Sequence, residues 1–307
     1  MILVTGGAGV MGSRLVRGLV EKGEQVRVLT LPGDPYVSRL DGLDVDIRYG
    51  DISKAETLEG VFDGVETVFH LAAVVLSWNP KVFEIVNVGG TKNVLEGAIA
   101  AGARHFIYVS SASVVYPHTT PYSRSKRECE KMITSQDRIA WTIIRPTLAY
   151  NENGGEEFLL FLKYLKQFPI VPFIGTGKAL KNPVHVDDLM RGFLAVPGNQ
   201  KAYGKIYQFS GGEEITIWDL SKLMLKHQGI YKPFVPIPVS LCKLISKLMQ
   251  KFMKRPPLTW NVIAGITQDA NLDNASARED LGYNPIGIHE GLEACFPLKK
   301  QAGRTAH

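Results

Sequence analysis

Met1-Ile-Leu-Val-Thr-Gly-Gly-Ala-Gly-Val-Met-Gly12 carries an apolar run straight into a glycine cluster and then into a helical pattern. Gly6, Gly9 and Gly12 are spaced G-x-x-G-x-x-G, while Gly7, Gly9 and Gly12 satisfy G-x-G-x-x-G. Without Cβ atoms such a loop can take positive φ and bring a pyrophosphate against the amide N–H groups at the positive end of a helix. Glycines also serve tight strand-to-helix packing, so the pattern draws its meaning from its flanks. Ile2 to Val4 read as a strand, and Leu15, Val16, Leu19 and Val20 recur with helical spacing before Gly23.

Working outward, Gln25 to Leu29, Val45 to Tyr49, Thr67 to Leu71, His105 to Ser110 and Trp141 to Ile144 read as further strands with helical stretches between them. Near-continuous apolar strands alternating with helices predict an α/β doubly wound parallel sheet of the Rossmann type, with ligand at the strands' C-terminal ends. After Pro146 the pattern becomes irregular: a loop at Asn151 to Gly155, a helix near Glu157 to Gln167 and a Pro/Gly-rich stretch from Pro169 to Gly177. We therefore expect a dinucleotide domain over residues 1–150 and a smaller substrate-binding portion over 151–307, which can return strands or helices to the first. The polar tail Lys299 to His307 reads as frayed.

The chain has 307 residues, 45% of them hydrophobic, with 35 basic against 30 acidic side chains. That composition builds a full globular core. Lysines become denser after about residue 243, but no basic stripe interleaved with aromatics marks a nucleic-acid surface. Cys129, Cys242 and Cys295 lie far apart without metal-ligand spacing, which predicts free thiols, no metal site and a reducing, cytoplasmic setting. No apolar run reaches the roughly 18 residues that span a bilayer.

The strand Phe106-Ile-Tyr-Val-Ser-Ser111 ends in hydroxyls, and Tyr122-Ser-Arg-Ser-Lys126 opens a helical segment soon after. Tyr122 and Lys126, four apart, project from one helix face, where an ammonium beside a phenol favours the phenolate and suits proton transfer. Ser111 can hold the substrate oxygen. Y-x-x-x-K alone is common on solvated helices; here it follows a nucleotide loop at the ligand edge of a sheet.

The ordered set Thr5-Gly-Gly-Ala-Gly-Val-Met-Gly12, Gly50-Asp-Ile52, His70-Leu-Ala-Ala73, Asn87-Val-Gly-Gly-Thr91, Val109-Ser-Ser111, Tyr122-x-x-x-Lys126, Arg145-Pro146 and His185-Val-Asp-Asp188 resembles the extended short-chain dehydrogenase/reductases across nearly the whole chain. Its pattern is similar to the NAD-dependent epimerase/dehydratase and 3β-hydroxysteroid dehydrogenase branches, with Asp273 to Tyr283 resembling their C-terminal element. The resemblance implies Tyr122 as proton relay, Lys126 on the nicotinamide ribose and tuning Tyr122, and Ser111 orienting the reacting oxygen. It also implies a cofactor face over Gly6, Gly9, Val10, Met11, Gly12, Thr30 and Pro146, with Asp51 and Ile52 flanking the adenine, Leu71, Ala72 and Ala73 lining the dinucleotide, and Asn87 bracing a strand. Ser113, Tyr116 and Asn182 join Ser111 as substrate candidates, and a homodimer is the family expectation.

Bland readings stand beside these. His70, inside an apolar strand, reads as a satisfied core residue. Asp187-Asp188 could cap a helix over Leu189 to Ala195 or touch substrate, and Asp51 could simply be a turn residue. Thr30 and Leu31 end the second strand without the acid or arginine that usually reads the ribose, so the choice of NAD, slightly favoured, or NADP falls to Asp34 or Arg39. Ala112 and Ser113 follow Ser111 where the family's dehydratases resemble one another in an Asp-Glu pair, which argues against elimination of water and leaves hydride transfer or epimerisation. Ser111 and Tyr122 are only eleven positions apart, which suggests an open substrate side. From Val239 to Arg255, leucines at helical spacing interleave with Lys243, Lys247, Lys251 and Lys254: a domain helix with a solvated lysine face, a dimer or lid contact, or weak membrane-surface contact. We expect an NAD(P)-dependent oxidoreductase or epimerase. A nucleotide-activated sugar is the first substrate expectation; a 3β-hydroxysteroid or other lipophilic alcohol is the alternative, strengthened by Asn182-Pro-Val-His-Val186, which lacks the arginine many nucleotide-sugar relatives place there. A non-catalytic cofactor sensor remains the reading from another class.

Overall fold

The computed structural model describes residues 1–152, 156–253 and 256–298. Part of the expected Asn151 to Gly155 loop, Lys254 and Arg255 of the basic segment, and the whole 299–307 tail lie outside the described residues.

Seven parallel strands form the central sheet: β1 (Ile2–Thr5), β2 (Val26–Thr30), β3 (Val45–Tyr49), β4 (Thr67–His70), β5 (His105–Val109), β6 (Ala140–Pro146) and an edge strand Lys205–Phe209. Their order is edge strand, β6, β5, β4, β1, β2, β3. The chain winds outward from β1 in one direction and from β4 in the other, so β1 and β4 are adjacent at the reversal point, where an α/β sheet opens a crevice at its C-terminal edge. Every residue of β1, β2 and β5 is buried, as the apolar runs require when helices cover both faces. Helix α1 (Val10–Glu21) inserts Leu15, Val16 and Leu19 into one core layer. The helices Gly90–Ala100 and Pro121–Thr134 build the opposite layer through Val94, Leu95, Cys129 and Ile133.

The edge strand comes from the second half of the chain and pairs with β6 from Lys205↔Thr142 to Phe209↔Pro146. That pairing carries β6 through Arg145 and Pro146, beyond the Trp141 to Ile144 expected from the apolar run alone. A third apolar cluster, with Phe158, Leu165, Phe173, Leu220 and Leu292, packs the helices Glu156–Gln167, Ile217–His227 and Ile288–Cys295 together. The helix near His185 begins at Val186, three residues before the expected start. His185 therefore caps it by accepting from the Asp187 N–H at 3.2 Å. Asp187 and Asp188 sit in the first turn instead: Asp188 is buried and accepts from the Ile286 N–H, and Asp187 pairs with Arg14. In the basic helix Val239–Phe252 only Cys242 and Ser246 are buried, so its leucine stripe faces outward, against the first of the three readings above.

Candidate active site

The glycine loop turns as its sequence requires. Gly6 adopts φ +70°, and a Cβ there would lie 2.9 Å from the Ala72 backbone at the exit of β4. At Gly12 a Cβ would overlap the Gly6 carbonyl oxygen. The Gly9 N–H donates to the Gly6 carbonyl at 3.0 Å, tightening the turn into α1. Gly9 caps the helix without a side chain, and the first turn holds no acidic residue. Free N-terminal amides without a competing carboxylate fit a pyrophosphate. Leu71, Ala72 and Ala73 leave β4 half-buried beside this loop, the Ala72 N–H donating to Thr5 Oγ1 at 3.3 Å. Thr5 Oγ1 also meets His70 Nδ1 at 2.7 Å, and His70 Nε2 meets Thr91 Oγ1 at 3.0 Å. With no exposed surface and both nitrogens engaged, His70 is a core bracket, and burial, helped by the Lys126 charge, pushes its pKa down to about 3.

The helix that bears Tyr122 and Lys126 starts at a full capping box: Ser123 N–H donates to Thr120 Oγ1, Thr120 N–H donates to Ser123 Oγ, and Pro121 fills the first turn. Arg145 of β6 anchors the same helix through a largely buried two-point pair with Glu130. Ser111, two residues beyond β5, has its Oγ 2.9 Å from Ser113 Oγ, so the two hydroxyls form one polar pair. Burial raises the Tyr122 phenol above its ordinary value, Glu157 adds to the rise, and a hydrogen bond with Ser111 opposes it. The Phe83 ring stands 6.2 Å from the Tyr122 ring, edge-on. Tyr116 has the same carboxylate neighbour and is likewise raised, first by burial. Ser111 thus meets both Ser113 and Tyr122, and Tyr116 shares the Glu157 charge with Tyr122.

Lys126 is buried and donates to the Val109 carbonyl at 2.8 Å, its ammonium 4.7 Å from the Tyr108 ring centroid. Burial holds its pKa down at about 8. The expected depression of the Tyr122 pKa by Lys126 is absent: desolvation and Glu157 dominate the phenol. Asn182 also departs from expectation. Its amide clasps the backbone of Leu272, donating to the carbonyl at 3.0 Å and accepting from the N–H at 3.4 Å, and it is 4% exposed. Its amide is engaged as a structural clamp.

Several cofactor candidates act through the scaffold. Asn87 brackets Val74, accepting its N–H and donating to its carbonyl, and also donates to Ser125 Oγ, which fixes the segment after β4 to the Tyr122 helix. Asp51 Oδ1 accepts from Ser53 N–H and Oγ–H, the turn role foreseen as its alternative. Ile52 is buried under Gly90. Val10 is exposed and Met11 half-buried at the helix start, and Pro146 ends β6 at the same edge of the sheet. Thr30 Oγ–H donates to Asp34 Oδ2 at 2.6 Å, which brings a carboxylate to the tip of β2 from four residues along the loop. Arg39 lies 4.1 Å from the Tyr36 ring and donates to the Ala8 carbonyl.

Two further neighbours bear on this region. Glu157 reaches the phenols from the helix Glu156–Gln167 in the other half of the chain. His118, within the short Ser111–Tyr122 loop, accepts from Trp260 Nε1–H at 2.7 Å, contacts Asn261 Oδ1 at 3.1 Å, and its N–H donates to Gln268. The helix Trp260–Thr267 therefore braces the loop whose shortness suggested an open substrate side. Among the described residues no group of three or more His, Cys, Asp or Glu is placed to hold a metal ion.

Such a sheet, loop and Ser-Tyr-Lys set define an NAD(P)-dependent oxidoreductase of the extended short-chain dehydrogenase/reductase class. The chain belongs to the 3-beta hydroxysteroid dehydrogenase/isomerase family, which matches residues 3–233. It is 26% identical to the 3 beta-hydroxysteroid dehydrogenase/Delta 5-->4-isomerase of Mycobacterium tuberculosis (strain ATCC 25618 / H37Rv), over 96% of this chain and 89% of that one. Against the 2-alkyl-3-oxoalkanoate reductase of Stenotrophomonas maltophilia it is 27% identical, covering 95% and 97% of the two. Its fold matches the UDP-glucose 4-epimerase of Thermotoga maritima with UDP-glucose at a TM-score of 0.73, 23% identity, and coverage of 96% and 97%.

Proposed function

We propose that this chain interconverts a hydroxyl and a keto group on a lipophilic alcohol or ketone, with NAD as the favoured dinucleotide. When bound, the nicotinamide supplies or accepts the hydride. Tyr122 moves the accompanying proton at the substrate oxygen, Ser111 orients that oxygen, and Lys126, anchored by Val109, stands ready for the ribose. A phenol is protonated at neutral pH and burial raises Tyr122 further, so its resting form is an acid that can protonate a carbonyl during reduction.

The observation that carries the substrate reading is the rim. Leu71-Ala-Ala-Val-Val-Leu-Ser-Trp-Asn-Pro80 leaves β4 beside the Tyr122 helix without one charged residue, and Val75, Leu76 and Trp78 are exposed along it. Phe83, buried, stands edge-on to the Tyr122 ring. Arg127 and Lys181 are held by protein carbonyls, that of Val114 and those of Gly265 and Gln268. A sterol or alkyl chain needs apolar surface, which this rim supplies. This reverses the order of the two substrate expectations. For the dinucleotide, Asp34 held on Thr30 favours a ribose diol over a 2′-phosphate.

The test is oxidation of a 3β-hydroxysteroid, followed as NADH formation, beside UDP-glucose as competitor. Tyr122→Phe should lower kcat by about 10²- to 10⁴-fold while NADH binding is kept. Turnover or a thermal shift with UDP-glucose alone would instead support the nucleotide-sugar reading, which the Thermotoga maritima fold match keeps in view.

A further inference from the structure

Residues 220–268 contain no aspartate or glutamate and carry eight lysines and arginines, in a chain whose acids and bases are otherwise mixed. Within this stretch the helix Val239–Phe252 turns its leucines away from the protein. Leu241, Leu244, Leu248 and Phe252 fall on one face at steps of three and four residues, and they are 46%, 55%, 52% and 79% exposed. A surface helix ordinarily buries such a stripe. Lys243, Lys247 and Lys251, each exposed and four apart, line one flank of it. The Lys243 ammonium lies 4.4 Å from the ring of Trp260, itself 40% exposed, so the next helix extends the same surface. That helix reaches the loop between Ser111 and Tyr122 through the Trp260–His118 hydrogen bond.

We propose that this face docks on the surface of a bilayer containing anionic phospholipid, with the leucine stripe at the level of the acyl chains and the lysine row among the headgroups. An apolar face edged by lysines is what an interfacial helix presents. Among the described residues no helix is long and apolar enough to cross a membrane, so the contact is interfacial. Charge decides against a second copy of the chain: a two-fold contact would lay one lysine row on another, and 220–268 offers no carboxylate to separate them. Placement beside the loop of the catalytic tyrosine would let a lipophilic substrate pass from bilayer to site. That consequence rests on the substrate reading above; the docking does not.

Sedimentation with vesicles of phosphatidylcholine alone and of phosphatidylcholine with phosphatidylglycerol tests it. The chain should sediment with the mixed vesicles at low salt and be released by high salt. Leu244→Glu with Leu248→Glu, both on exposed positions, should abolish sedimentation while leaving NADH binding and the thermal midpoint unchanged. Lys243→Gln, Lys247→Gln and Lys251→Gln together should weaken it by about a hundred-fold, on the order of fivefold per lysine. Absence of sedimentation with the mixed vesicles, or equal sedimentation of the leucine variant, would overturn the proposal. So would a dimer in solution that the leucine variant dissociates while vesicles fail to bind. Loss of steroid turnover with vesicle binding intact would count only against the substrate reading.

Discussion

Acidification should destabilise this fold above the pH at which its carboxylates titrate, because two imidazoles are buried in neutral form. Burial and the Lys126 charge hold His70 at about 3, and burial holds His105 at about 4. In the unfolded chain both return to about 6.5. Below that value the unfolded state binds protons that the folded state refuses, so stability falls as pH drops from about 6.5 toward 4. Between pH 8 and pH 5 the loss is about 2 kcal/mol for each ring, or about 4 kcal/mol for the pair, a large part of the 5–15 kcal/mol typical of a domain. Asp46, Glu96 and Glu152 are held below their ordinary values, so their contribution is lost at lower pH and leaves this window to histidine. Urea unfolding followed by circular dichroism at pH 8, 6.5 and 5 measures the effect. His70→Gln should lower stability at every pH, since it disturbs the contacts to Thr5 and Thr91, yet shrink the pH-dependent loss by about 2 kcal/mol. A wild-type loss below 1 kcal/mol, or a variant that keeps the whole slope, would refute the assignment of His70 as a buried neutral bracket.

Other consequences follow from the same geometry. Gly12→Ala places a methyl against the Gly6 carbonyl, so NADH affinity by fluorescence titration should fall at least about tenfold; an unchanged Kd would remove the loop from the cofactor site. Lys126, held at about 8, releases its proton in the folded state first, so between pH 8 and 9.5 its contribution to stability should rise by about 1.5 kcal/mol; Lys126→Met should remove that share of the gain in urea unfolding and leave the similar share of Lys181, also held at about 8 by burial. Asn182→Ala should cost about 1–2 kcal/mol through the lost clamp on Leu272 while KM stays constant; a raised KM at unchanged stability would return Asn182 to the substrate side.

The strand, turn and helix around Gly6 to Gly12 were legible because local periodicity and glycine placement constrain them with no distant partner. The same holds for β1 to β5 and for the helix bearing Tyr122 and Lys126, whose start Thr120, Pro121 and Ser123 fix among themselves. Family order then named Ser111, Tyr122 and Lys126, and the fold brought Ser111 and Tyr122 together. Local pattern failed where a residue's partner is remote. Asn182 looked available until Leu272, ninety positions away, took both ends of its amide. Glu157 acquires meaning only through its tertiary position near Tyr122, where burial first and its charge second shift the phenol upward instead of down.

What the sequence by itself determined is the doubly wound sheet and its glycine loop, written in short-range spacing, while family order nominated Ser111, Tyr122 and Lys126. Tertiary structure alone decided which of those groups are desolvated, which amides are already satisfied, and which side of the Val239–Phe252 helix meets water. The periodicity of that helix records two faces but carries no label for inside, because burial depends on which distant surface arrives to cover it.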